Sequence, residues 1–198
     1  MEYGFYRETE GIWRLKVPFD TVYTSVFLVV TDEKRILVDC ATTREDVDLR
    51  IAPACRALGY DLGEIDVLVL THWHDDHAGG KTRILELAPS IEIVTDVREL
   101  TAEIATYPMA GHTEGCIGVL DMRTRTLISG DGLQGAGVDK YRATFENRAA
   151  YRQTLVRLEA EEKVESILFS HAYEPWLCDR IEGRANVLSC LRECEKYV

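Results

Sequence analysis

Basic residues are in deficit in this chain of 198 residues: 23 lysines and arginines stand against 34 aspartates and glutamates, for a formal net charge of −11. Nucleic-acid binding draws its affinity from neutralising phosphates with Lys and Arg, so this balance argues against that class of partner. Runs of apolar residues stay well short of the roughly 20 needed to cross a bilayer. The start, Met1-Glu2-Tyr3-Gly4-Phe5-Tyr6-Arg7-Glu8, has no basic segment followed by an apolar one, so no signal peptide and no membrane partner are expected, and the cytoplasm is the expected location. The six cysteines, Cys40, Cys55, Cys116, Cys178, Cys190 and Cys194, form no C-x-x-C pair and read as reduced, buried thiols. No internal repeat, linker or low-complexity stretch is present. What remains, 46% hydrophobic and 29% charged residues, is the composition of a globular protein, and its length suits a single domain over residues 1–198.

Histidine is scarce as well, and its placement is uneven. Of five, three fall in Thr71-His72-Trp73-His74-Asp75-Asp76-His77-Ala78-Gly79-Gly80, directly after the apolar run Ile65–Leu70. Residues two apart in an extended segment point the same way, so His72 and His74 can grip one ion. Asp76 and His77 lie beyond, where the chain turns, and can face a second. Imidazole and carboxylate together suit zinc and other first-row divalent metals. The other two histidines stand at similar places: His112 in Gly111-His112-Thr113, and His171 after Ser166–Ser170. Asp131 follows a short apolar strand in Ser129-Gly130-Asp131-Gly132. Strand ends and glycine turns of this kind are where sites are usually built.

Along the chain, Ile12–Val17, Val22–Val30 and Arg35–Asp39 read as successive strands, and Thr43 caps a helix reaching about Leu58. Ile65–Leu70 is a buried strand, Gly80–Leu87 a short helix, and Ile91–Val94 and Glu103–Tyr107 short strands. Cys116–Asp121 and Thr126–Ser129 pair as a hairpin. Gln134–Lys140 is a glycine-rich loop over the site, Glu146–Glu161 a helix, Ser166–Phe169 a last buried strand, and Arg180–Tyr197 a closing helix whose apolar side faces the core or a partner copy. A meander followed by alternating strands and helices is α/β (α+β), with sheets packed together and helices outside.

Five ordered motifs, Leu37-Val38-Asp39, the H-x-H-x-D-H run from His72 to His77, Gly111-His112-Thr113, Ser129-Gly130-Asp131 and Ser170-His171, make the chain resemble the metallo-β-lactamase-fold superfamily from about Ile36 to His171. The resemblance implies a four-layer αβ/βα sandwich of two mixed β-sheets. It implies that His72, His74 and His112 hold a first metal, that Asp76, His77 and His171 hold a second, and that Asp131 bridges them. Two divalent ions follow, Zn2+ foremost, with Mn2+ or Fe2+ as substitutes. A hydroxide between the ions would attack an acyl or phosphoryl bond, with Asp76 aiming it. Asp39 would orient the metal loop and hold a histidine ring.

Each residue also has a plainer reading. His112 and Asp131 suit turns, His171 a buried and satisfied core position, and Asp75 a solvated one. Trp73 points away from its ligand neighbours and reads as wall or core. Cys40 and Cys116 read as packing residues. Tyr141 and Tyr173 are candidate proton donors to a leaving group, with rim packing as the alternative, and Gln134 and Lys140 are candidate substrate contacts.

Aspartate at 131 and histidine at 74 set the chain apart from true β-lactamases, which often use Cys at the first position, and from diiron oxygen reductases, which use Glu at the second. The pattern looks like the glyoxalase II and acyl-homoserine lactonase branch. Glyoxalase II proteins carry a helical C-terminal domain for glutathione; 27 residues follow His171, which argues against that substrate. The expectation is a dinuclear metal-dependent hydrolase of a small ester-like molecule, a lactone, thioester or related acyl compound. The rival is a mononuclear iron oxidoreductase of the persulfide dioxygenase type, with the iron on His72, His112 and Asp131. A homodimer is compatible with the closing helix; oligomeric state is otherwise open.

Overall fold

Strands β2 (Ile12–Phe19) and β3 (Val22–Val30) pair without interruption from Ile12↔Val29 to Phe19↔Val22, as their β-branched and aromatic content favours. The computed structural model describes residues 3–135, 137–138, 141–173 and 178–198, and the chain divides between Thr95 and Asp96 into two compact units. The first unit holds a six-stranded sheet in the order β1-β2-β3-β4-β5-β6, with β1 at Tyr6–Thr9, β4 at Arg35–Val38, β5 at Val67–Val69 and β6 at Glu92–Val94. Strands β1 to β4 are antiparallel; β4, β5 and β6 are parallel.

Parallel neighbours need crossovers, and helices supply them. Between β4 and β5 the chain runs through α1 (Arg44–Asp46), a π-helical stretch Val47–Ile51, and α2 (Ala52–Ala57). Pro53, which lacks an N–H, sits just past the π stretch, and the Ala52 N–H reaches back five residues to the Val47 carbonyl. Thr43 opens the run with a capping box: its hydroxyl accepts from the Asp46 N–H, and the Asp46 carboxylate accepts from the Thr43 N–H. Between β5 and β6 lie α3 (Asp75–Ala78) and α4 (Lys81–Leu87). Leu15, Val26, Leu28, Leu37, Leu68, Val47, Ile51 and Ile84 belong to the core of this unit.

The second unit has a five-stranded sheet in the order β13-β12-β9-β8-β7: β7 (Ile104–Pro108), β8 (Ile117–Asp121), β9 (Thr126–Ile128), β12 (Ser166–Tyr173) and β13 (Cys178–Glu182). Only β9 and β12 are parallel, and the crossover between them contains α5 (Arg148–Ala160), capped by Asn147. After β13 comes α6 (Arg184–Glu195). Tyr107, Leu127, Tyr151, Leu155, Ile167, Phe169 and Leu191 belong to its core. Among the described residues no helix is long and apolar enough to cross a membrane.

Strand β1 adds an edge on which the sequence carried no expectation, and three local expectations need correction. The closing helix begins at Arg184, because Cys178–Glu182 pairs with β12 and Gly183 turns the chain at φ 86°. Strand β12 continues through Tyr173, so His171 lies within it. The glycine-rich loop contains a short strand, β10 (Gly137–Val138), which pairs with β11 (Tyr141–Arg142) just after it.

Candidate metal centre

The C-terminal ends of the parallel strands β4 and β5 deliver the first cluster. The Asp39 N–H donates to the Val69 carbonyl, which sets Asp39 beside the turn after β5. Asp39 takes the left-handed backbone region at φ 62° and is fully buried. Its carboxylate accepts from the Thr71 N–H (2.8 Å), the Thr71 hydroxyl (2.9 Å) and the His77 Nδ1–H (2.8 Å). The Thr71 hydroxyl has one proton and gives it to Asp39, so its oxygen accepts from the His72 Nδ1–H at 3.1 Å. One buried carboxylate thereby sets the tautomer of two histidines, and each offers Nε2 as its metal-capable nitrogen.

The rings gather tightly: His72 and His77 have centroids 4.1 Å apart, His72 and His74 4.6 Å. Asp76 Oδ2 lies 3.2 Å from His77 Nε2. His72, Asp76 and His77 are buried, His74 is exposed, and Asp75 faces solvent. Trp73 is 58% exposed with Lys81 over its ring, so it is not a core residue. Two glycines then let α3 and α4 press against the loop after β4. A Cβ at Gly79 would lie 1.9 Å from the Thr42 carbonyl oxygen, and one at Gly80 2.2 Å from that of Cys40. Cys40, with its thiol on the His77 carbonyl, is buried, and burial followed by the Asp39 charge pushes its pKa up.

The second unit carries the other cluster. Asp131 follows β9 and His171 lies on β12, the two parallel neighbours, while His112 sits on the connection from β7 to β8. The two Asp131 oxygens face different rings: Oδ1 is 3.4 Å from His171 Nε2, and Oδ2 is 3.8 Å from His112 Nε2. His112 is held through Nδ1, which lies 3.0 Å from the Thr144 carbonyl and 2.8 Å from the Gln134 amide nitrogen. Gly111, at φ 141°, lies flush against Tyr151, where a Cβ would come within 2.5 Å.

Gln134 therefore does not present its amide to a substrate. It is 3% exposed, its side chain lies between His112 and the Thr144 N–H, and its backbone N–H and carbonyl both pair with the Tyr151 hydroxyl. Burial, and secondarily the neighbouring Cys194, raise the pKa of that hydroxyl well above the tyrosine range, so it stays neutral and donates. Tyr141 and Tyr173 lie on β11 and β12, but their side chains, like Lys140, lie outside the described residues. The sequence reading missed Thr71 and Thr144. Thr71, beside His72, was legible as a hydroxyl at a strand end. Thr144 was not, since its role depends on where the chain returns after β11.

The donor set fits a metal. Two ligand atoms on a tetrahedral ion, each about 2.0–2.1 Å from it, stand about 3.3 Å apart. The Asp76–His77, Asp131–His171 and Asp131–His112 separations of 3.2, 3.4 and 3.8 Å fall near that edge length. His and Asp groups able to hold an ion are present among the described residues.

Residues 19–94 match the family model described as the metallo-beta-lactamase superfamily. That match includes the His72–His77 run and ends before His112, Asp131 and His171. The beta-lactamase-like protein 2 homolog of Drosophila melanogaster is 33% identical over 164 residues, covering 68% of this chain and 54% of that protein. An atrochrysone carboxyl ACP thioesterase of Passalora fulva is 29% identical over 69 residues, 35% of this chain and 20% of the other. The chain spans about half the length of the first of these and of its Caenorhabditis elegans counterpart. Among solved structures, the metallo-β-lactamase FIM-1 of Pseudomonas aeruginosa, in a mono-zinc form, superposes with a TM-score of 0.73 at 17% identity, covering 100% of this chain and 96% of that one. The two mixed sheets with their helices have the metallo-β-lactamase α/β sandwich fold, and the chain belongs to the metallo-β-lactamase superfamily.

Proposed function

We propose that the protein is a hydrolase dependent on two divalent ions, zinc foremost, acting on a small ester-like substrate: a lactone, a thioester or a related acyl compound. The observation that carries this reading is Asp131, whose two oxygens face two different imidazoles, His112 and His171. A carboxylate flanked in this way suits a bridge between two cations. On this reading His72, His74 and His112 serve one ion, Asp76, His77 and His171 the other, and Asp131 both. When bound, such ions polarise a carbonyl oxygen and bring the pKa of a water into the neutral range.

The chain's own residues do the rest. Asp39 and Thr71 keep His77 and His72 in the tautomers that offer Nε2. Asp76, buried beside His77, accepts a hydrogen bond from the attacking water and aims it. No side-chain nucleophile is required. The ester-like class draws support from the net charge of −11, which disfavours polyanions, and from the similarity to a thioesterase. The reading places the protein in the cytoplasm, where its cysteines stay reduced, with no nucleic-acid or membrane partner.

The test is elemental analysis of freshly purified protein, followed by an ester, thioester, lactone and lactam panel before and after chelation. The expected result is hydrolysis that disappears with the metal and returns with zinc. Turnover that survives complete metal removal sinks the proposal. A single iron with oxygen consumption would replace it with the dioxygenase reading.

A further inference from the structure

His112 is held by contacts that disagree about where its proton belongs. Three polar groups crowd its Nδ1: the Gln134 Nε2 at 2.8 Å, the Thr144 carbonyl at 3.0 Å and the Thr144 hydroxyl at 3.1 Å. The carbonyl can only accept, the amide nitrogen can only donate, and the hydroxyl can do either. The amide is not free to turn at no cost, because its Oε1 accepts from the Thr144 N–H at 2.8 Å. A turned amide would set an NH2 against that N–H.

The two tautomers of His112 therefore differ in kind. With the proton on Nδ1, the carbonyl is satisfied, but two N–H donors stand 2.8 Å apart with no acceptor between them. With the proton on Nε2, the amide and the hydroxyl both donate to a bare Nδ1, and the cost at Nδ1 is one bond to the carbonyl. Two donors crowded at that distance cost more than one bond forgone. Tyr151 fixes the arrangement from behind: its hydroxyl clamps the backbone of Gln134 on both sides, at 2.8 and 3.0 Å.

We propose that the Gln134 side-chain amide pins metal-free His112 in its Nε2–H form, so that the nitrogen facing Asp131 carries a proton until an ion displaces it. Gln134 is then a positioning residue that opposes ion binding at His112, in contrast to Asp39, which favours it at His77. Ion uptake moves the proton from Nε2 to Nδ1 by way of solvent, with no net change in protonation, and forces the amide to turn. This last consequence rests on the metal reading above; the tautomer itself does not.

A glutamate at 134 offers two acceptors, one for the Thr144 N–H and one for an Nδ1–H, and removes the conflict. Methionine, of similar length, removes the donor.

The decisive measurement is the 15N chemical shifts of the His112 ring in metal-free, full-length protein at alkaline pH, above the ordinary histidine range. The peaks are assigned by their loss in His112→Gln. The expected result is Nε2–H in the wild type and Nδ1–H in both Gln134→Glu and Gln134→Met. Zinc competition against a chromophoric chelator should show Gln134→Glu binding about tenfold more tightly than wild type. A wild-type His112 with its proton on Nδ1 overturns the inference, as does a Gln134→Glu protein that binds zinc more weakly. A wild type that shows Nε2–H yet takes up no zinc leaves the tautomer assignment standing and overturns the metal reading alone.

Discussion

Asp39 shows how much one side chain can organise. It accepts three hydrogen bonds, sits at φ 62°, and has no exposed surface. Burying a carboxylate is costly unless it is well hydrogen-bonded, and here Thr71 after β5 and His77 on α3 supply three donors. Asparagine tolerates the same backbone but replaces one acceptor with a donor, which opposes the His77 Nδ1–H or a Thr71 proton. Asp39→Asn is therefore expected to lose about 1–3 kcal/mol of folding stability in urea titrations. Its zinc affinity is expected to fall about 10–100-fold by chelator competition, as for the loss of other groups that orient ligands. Unchanged zinc affinity would show that the His77 tautomer does not depend on this carboxylate.

At the scale of elements, the end of α5 is held by a residue distant in sequence. The Arg184 guanidinium donates to the carbonyls of Leu158 (3.2 Å), Glu159 (2.5 Å) and Val164 (3.3 Å). These include carbonyls that a helix C-terminus leaves without partners, and the positive charge complements the helix dipole. Arg184→Met should cost about 1–3 kcal/mol. Each kcal/mol should lower the thermal midpoint by about 2–4 °C for a chain of this size. An unchanged midpoint would show that solvent serves these carbonyls equally well. The sequence did not announce this cap, or the strand just before it: Arg180–Glu182 reads as the start of the closing helix until β12 supplies a pairing partner for Cys178–Glu182. By contrast, the Thr43 cap, the buried β5 and the β8–β9 hairpin were legible because their signals are local: a hydroxyl with an acid three residues on, an unbroken apolar run, and a short turn.

Over the whole chain, both units use parallel strands to place part of the ligand-type set. Strands β4, β5 and β6 run parallel in the first sheet and β9 and β12 in the second; Asp39, the His72–His77 run and Asp131 follow the carboxyl ends of β4, β5 and β9, whereas His171 lies within β12 and His112 on the β7–β8 connection. That is why the order of the motifs in the sequence was informative. What the order could not convey is which polar neighbours turn each ring, since Thr144 and Gln134 reach His112 only through folded loops. A second property of the whole is its store of buried thiols, which sets an alkaline limit to stability. Burial pushes Cys55 from an ordinary 9.0 up to about 12. Cys40 is raised by burial and then by Asp39, and Cys190 by its hydrogen bond to Cys194 and then by burial. A thiol with a raised folded pKa stays protonated in the native state while the unfolded chain ionises. Its contribution is thus complete below about pH 9 and is lost as pH climbs toward its folded value. Each such thiol should remove about 1.4 kcal/mol per pH unit across that window. Tyr107, raised by burial from 10.0, should add to the slope higher up. Urea titrations of the reduced protein at successive pH values should therefore show stability falling from about pH 9. Cys55→Ala should start lower, from the cavity it leaves, yet fall less steeply; a parallel slope would show that Cys55 ionises as readily in the folded chain as in the unfolded one.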